Sequence, residues 1–262
     1  MTAVGSPKAL LLTRGSHSRL PGNGLGILVD LIGRGSGVQL TVDDDYGELT
    51  PDRLGRYDLV ISYAGYNSDL EPAEEHLRAL LSAVEGGTPY IALHAATLLF
   101  RNQLYYRQPL GHLLSRPDSS ELLNPVQVRY LEMMANAFLT WPSRPVPNSL
   151  LNETQLTYLE MTGSAFITHG PVESFWVRVG DRHHPITAGV PDFEIVDELY
   201  RLGTDRSVLH VLAEADGEPV LYVRRWGAGW VHYNALGHDA RALANPNYQR
   251  LLQQAIRWMV RR

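Results

Sequence analysis

The chain of 262 residues contains no cysteine. That absence excludes disulfides, thiolate zinc sites and a cysteine nucleophile. Lysine is almost missing as well: Lys8 is the only one, so 22 of the 23 basic residues are arginine. Schiff-base chemistry is therefore left with one amine, at the N-terminal edge of the first expected strand, and is nearly excluded. Positive charge is not in excess. The net charge of −5 removes the general electrostatic case for a nucleic-acid or anionic-membrane partner. No apolar run approaches the length of a membrane span, and residues 1–15 lack the apolar core and cleavage pattern of a signal peptide. A cytoplasmic location is the expectation. Histidine, aspartate, glutamate, serine, tyrosine and arginine remain to carry any chemistry.

A hydrophobic fraction of 44% is ample for a packed core, and the length suits one large domain or two small ones. Short apolar runs at 8–13, 38–42, 58–63 and 90–93 alternate with helical spacing at 26–32 and 71–84, which predicts a parallel α/β sheet. Thr50 and Pro51 read as the N-cap and first position of a short helix between them. The stretch Gly86-Gly-Thr-Pro-Tyr-Ile-Ala-Leu-His94-Ala-Ala96 is central. A turn leads into a fully apolar strand, followed by a histidine and two small residues that permit a sharp exit into a helix. Ligands of open α/β sheets sit beyond the carboxyl ends of the strands, so His94 is placed at the mouth of a site. The plainer alternative is that His94 fills a strand end. In the second half, runs at 175–179, 193–200, 208–213, 220–224 and 230–234 read as strands, Trp226-Gly-Ala-Gly229 as a turn, and 247–260 as a closing helix.

Residues 98–152 are broken by Pro109, Pro117, Pro125, Pro142, Pro145 and Pro147. They also hold one half of a near-repeat: 124–140 aligns with 152–168 at an offset of 28, with nine of 17 positions identical. A local tandem duplication explains this, and two copies are too few for a solenoid. Segments 127–138 and 155–166 are accordingly expected to share a local structure.

The run His184-Pro-Ile-Thr-Ala-Gly-Val-Pro-Asp-Phe-Glu-Ile-Val-Asp197-Glu-Leu-Tyr200 resembles the signature of the trehalose-utilisation (ThuA-like) family. So does Gly227-Ala-Gly-Trp-Val-His-Tyr-Asn-Ala-Leu-Gly-His238-Asp239, and the blocks ending at His94 and at His169 are similar to two more of its segments. The resemblance implies a single ThuA-like domain over 1–262, with a divergent elaboration around 101–151. It implies a flavodoxin-like, class I glutamine amidotransferase-like fold: a mainly parallel sheet flanked by helices, with additional antiparallel strands in the C-terminal half. Those amidotransferases carry a cysteine on the sharp strand-to-helix turn. His94 stands there instead, and an imidazole cannot perform the thiol acyl transfer that hydrolyses glutamine.

The loops expected at one sheet edge carry His17, His94, His169 and His238, with Asp197 and Glu198 as carboxylates. These residue types suit general acid–base work, or zinc or manganese held by His94, His169 and His238. No short ligand spacing marks a metal site, which would have to be assembled from distant loops. We assign catalytic roles to His94, His238 and Glu198, and substrate contacts to His17, Tyr66, His169, Asp197 and Asp239. Asp197 and Glu198 could equally serve as cap or brace. Three functions stay open: an enzyme acting on a sugar or oxidised sugar derivative, a non-catalytic ligand-binding module, and a metal-dependent hydrolase. The expected partner is a sugar-like small molecule, with no nucleic acid and no membrane; a homo-oligomer is left open.

Overall fold

The computed structural model describes residues 5–14, 24–65, 71–97, 99–100 and 151–262. The N-terminal half supplies four strands: β1 (Lys8–Leu12), β2 (Gln39–Asp43), β3 (Leu59–Ser62) and β4 (Tyr90–Leu93). Every residue of β3 and β4 is buried, as are the last four of β1. Burial on both faces explains why these strands read as unbroken apolar runs rather than as alternating patterns. Strand β2 lies at the sheet edge, and its Val42 is exposed.

The C-terminal half adds β5 (Ser164–Val179), β6 (Phe193–Thr204), β7 (His210–Ala215), β8 (Glu218–Trp226) and β9 (Gly229–Asn234). Among the described residues the sheet has nine strands in the order β2-β1-β3-β4-β9-β8-β7-β5-β6. The α/β sheet carries the antiparallel strands expected in the C-terminal half, but it is mixed rather than mainly parallel. The pairings along β2-β1-β3-β4-β9 are parallel, and those along β9-β8-β7-β5-β6 are antiparallel. Strand β9 is where the direction changes. The turn at Gly227 and Ala228 makes β8 antiparallel to β9, while β9 itself runs parallel to β4. The loops after β4 and β9 therefore leave the sheet at the same edge.

The helices are α1 (Leu25–Ser36), α2 (Pro51–Leu54), α3 (Glu74–Glu85), α4 (Glu153–Thr162), α5 (Ala240–Leu243) and α6 (Pro246–Met259). Thr50 does precede Pro51, but its hydroxyl makes no capping bond. Helix α4 has a full capping box, in which Asn152 and Gln155 each accept the other's backbone N–H. It stops at Gly163, whose φ of 78° needs a residue without Cβ. In the second copy of the near-repeat, 155–162 is helical and the chain turns extended from Ser164. The first copy lies outside the described residues. Helix α6 opens on Asn245, which caps two amides, with Pro246 at the first position. It packs against α1, and α3 packs against α4. No helix among the described residues is long and apolar enough to cross a membrane.

One buried group makes the fold sensitive to acid. His232 on β9 is fully buried; its Nδ1 donates to the Tyr222 carbonyl at 2.9 Å, and its Nε2 has no partner among the described residues. Burial pushes its pKa down from 6.5 to about 4. The unfolded chain then takes a proton at this site that the folded chain refuses, so stability falls as pH drops through 6.5 and levels off near 4. At pH 4 the loss attributable to His232 is on the order of 3 kcal/mol. Urea titrations of wild type and His232→Leu across pH 7 to 4 measure it: the stability difference between the two should move by that amount, and a constant difference would contradict the assignment.

Candidate functional site

His94 sits where β4 ends and a 3₁₀ turn (His94–Thr97) begins. Its φ is +46°, an unusual conformation for a residue with a side chain and one that tends to occur at functional sites. The turn is held by Tyr233, whose hydroxyl donates to the His94 carbonyl at 3.0 Å. Ala95 and Ala96 are small enough to bury directly behind it. The imidazole is completely buried, and its tautomer follows from its partners. Nδ1 lies 2.8 Å from the Ala235 carbonyl, which can only accept, so Nδ1 carries the hydrogen. In the neutral ring Nε2 then accepts from the Tyr200 hydroxyl at 2.8 Å. Burial holds the Tyr200 pKa well above its ordinary value, which keeps that hydroxyl a donor.

Tyr200 and Glu198 belong to β6, two residues apart and thus on one face of the strand. Glu198 is the hub of the site. Its Oε2 is 3.1 Å from His238 Nδ1 and 3.6 Å from His94 Nε2, and its Oε1 is 3.4 Å from His169 Nδ1. Burial alone would raise the carboxyl pKa, but the adjacent His238 and His94 outweigh it and hold the group well below the usual carboxylate range. His238 is shifted the opposite way: Glu198 raises its pKa against the effect of burial. The 3.1 Å approach is an ion-pair distance without hydrogen-bond alignment between the two atoms. His169 reaches the site because of a bulge. Gly170 and Pro171 stand opposite the single residue Leu199, so that His169 pairs with Tyr200 and Val172 with Glu198.

The structure brings His94, His169, Glu198 and His238 together. Asp197 has a different position from the substrate contact expected of it. It is fully buried, and its carboxylate accepts from the amides of Gly237 (2.7 Å), His238 (3.0 Å) and Glu198 (2.8 Å). No lone pair faces outward for a ligand; Asp197 braces the loop that carries His238. Burial raises its pKa, opposed by His94 and by these amides. The Tyr63 hydroxyl fixes the same loop by donating to the Gly237 carbonyl at 2.7 Å. Asp239 also departs from its expected role. It is the N-cap of α5, and its carboxylate is taken up by the Arg241 amide and guanidinium. His17 and Tyr66 lie outside the described residues. His183 and His184 shape a turn through the Asp181 carboxylate, which accepts both of their amides, and His184 packs on Trp258.

Sequence reasoning missed Tyr200 as the partner of His94, although the spacing from Glu198 in Asp197-Glu-Leu-Tyr200 carried the signal. The Ala235 carbonyl and the Tyr63 hydroxyl had none, since backbone acceptors and long-range hydroxyl bonds leave no pattern in sequence.

Together the fold and the cluster define an α/β protein with a histidine–carboxylate site at the carboxyl ends of its parallel strands and no thiol nucleophile. Residues 148–259, less than half of the chain, match the model of the trehalose utilisation (ThuA) family. The match contains His169, Asp197, Glu198, Tyr200 and His238; His94 lies outside it. Among solved structures the chain is similar to a ThuA-like protein from Bacteroides uniformis ATCC 8492, with 16% identity and a TM-score of 0.64 over 99% of this chain and 94% of that one. A ThuA-like protein from Parabacteroides merdae ATCC 43184 is also 16% identical, with a TM-score of 0.63 over 97% and 90%. A cytoplasmic protein from Salmonella typhimurium LT2 is 14% identical, with a TM-score of 0.58 over 96% and 99%. At these identities the likeness is one of fold. No curated protein matches the chain.

Proposed function

We propose that the protein binds a carbohydrate or an oxidised carbohydrate and acts on it through the His94–Glu198–His238 cluster. The carrying observation is the convergence of three imidazoles within 3.6 Å of one carboxylate at the sheet edge where α/β proteins bind ligands. The family match supplies the sugar: its description is trehalose utilisation, which points to a carbohydrate-related role. We read the parallel half of the sheet as flavodoxin-like, because its order β2-β1-β3-β4-β9 follows the 2-1-3-4-5 pattern of that fold. His238 and His169 are the partly exposed members and face the ligand; Glu198 orients them, and His94 closes the buried side. Imidazole and carboxylate suit proton transfer to and from hydroxyl or carbonyl groups. Thiol-based glutamine hydrolysis has no nucleophile here.

The test is a panel of trehalose, simple hexoses and their keto derivatives, followed by NMR for binding and turnover. Wild type should saturate with at least one sugar, and His238→Ala should lower turnover about a hundredfold or more while melting within a few degrees of wild type. Binding without turnover would move the protein to the non-catalytic class. Failure of every sugar to bind, or an unaffected variant, would overturn the reading.

A further inference from the structure

We infer that His94, Glu198 and His238 form a binding site for one divalent transition-metal ion of the zinc type. The proposal shares the site of the carbohydrate reading and deepens it, but its evidence is separate. One ring nitrogen or carboxylate oxygen from each residue lies within 4.8 Å of the others. The closest approaches, 3.1 and 3.6 Å, meet at a single Glu198 oxygen. Ligands bonded at 2.0–2.2 Å to a tetrahedral ion stand about 3.4 Å apart, so the three side chains need only small shifts to close around one.

The surroundings agree with that use. A metal-binding histidine commonly donates its other ring nitrogen to a backbone carbonyl, which fixes the tautomer and aims the ligating lone pair. His94 does this, with Nδ1 on the Ala235 carbonyl and Nε2 toward Glu198. Glu198 Oε2 is buried and makes no aligned hydrogen bond within the described residues. Asp197, through the amides of Gly237 and His238, fixes the loop that presents the third ligand. Two imidazoles and a carboxylate suit zinc, with a coordination position left for water or substrate. One group competes: the Tyr200 hydroxyl donates to His94 Nε2 and must yield when an ion takes that lone pair. A single neutral hydrogen bond is weak against coordination by three protein ligands. Tyr200→Phe therefore leaves metal binding intact or tightens it.

The experiment uses the full chain stripped with chelator and dialysed against Zn²⁺ alone, with elemental analysis of the retained ion. Co²⁺ serves as the spectroscopic probe. About one ion per chain is expected, with visible Co²⁺ bands of low coordination number. Glu198→Gln and His94→Ala should each weaken Zn²⁺ binding by about a hundredfold or more, while His169→Ala keeps full stoichiometry. Circular dichroism of the stripped variants checks folding. Should a buried substitution fail to fold, His238→Ala, in a half-buried loop, tests the same ligand set. Retention of no Zn²⁺ by wild type, or equal retention by the folded ligand variants, would overturn the proposal. Because no sugar is present, this result stands apart from the sugar screen: metal without sugar binding defeats only the carbohydrate reading, and sugar without metal binding defeats only this one.

Discussion

Asp197→Ala is expected to lower stability by about 4 kcal/mol and to release the loop that carries His238. Three amides, those of Gly237, His238 and Glu198, lose their acceptor. A buried donor left without a partner costs about 1–3 kcal/mol. Alanine also recovers the desolvation cost that raises the Asp197 pKa, which brings the net below the sum of three such losses. Against a typical total of roughly 5–15 kcal/mol, the variant is marginal. Asp197→Asn separates charge from geometry. Its NH₂ group would face an amide that needs an acceptor, so the isosteric change should cost nearly as much. Urea unfolding gives the stability, and NMR line shapes of His238 report the loop. A variant within 1 kcal/mol of wild type, with the loop resonances unmoved, would show that Asp197 is not the brace.

The second large effect is expected at Gly229. A Cβ on this residue would overlap the Val84 carbonyl oxygen at the end of α3 and press on the Thr88 carbonyl. Both obstacles are backbone, so no rotamer change relieves them. The first residue of β9 would have to withdraw from α3, pulling against the bond from the Ala228 amide to the Glu85 carbonyl. Gly229→Ala should cost about 4 kcal/mol, beyond the usual penalty for an added methyl in a packed interior. Thermal and urea unfolding measure it. Wild-type stability would mean that the α3–β9 junction is looser than its geometry indicates.

The parts of this molecule that were legible in sequence are those built from local patterns. Runs such as residues 59–61 and Tyr90–Leu93 are apolar because both faces are covered, and His94 after such a run marks the turn. Strand β5 was only half visible. Gly170 and Pro171 look like a turn that ends an element, yet they occupy the bulge, where no ladder bond is asked of proline. The site divided along the same line. Glu198, His94 and His238 were recognisable by type and by position after strands. Asp197 and Glu198 are neighbours on β6 and so face opposite sides of the strand; which side meets the amides of Gly237 and His238 and which the imidazoles is set by distant loops that adjacent acidic residues do not announce.

The insertion of β9 between β4 and β8 has a consequence for synthesis. The Ala235 carbonyl that fixes the His94 ring lies 141 positions later in the chain. At about 5–20 residues per second, a ribosome needs roughly 7–30 seconds to bridge that gap. Among the described strands, β3 is the one neighbour of β4 already made during this interval, and the edge that β9 will take is made whole only at its end. Closing so long a loop is entropically slow, and an open apolar edge is what strand-to-strand aggregation exploits. The histidine cluster thus comes into being only after β9 and the residues that follow it have been made.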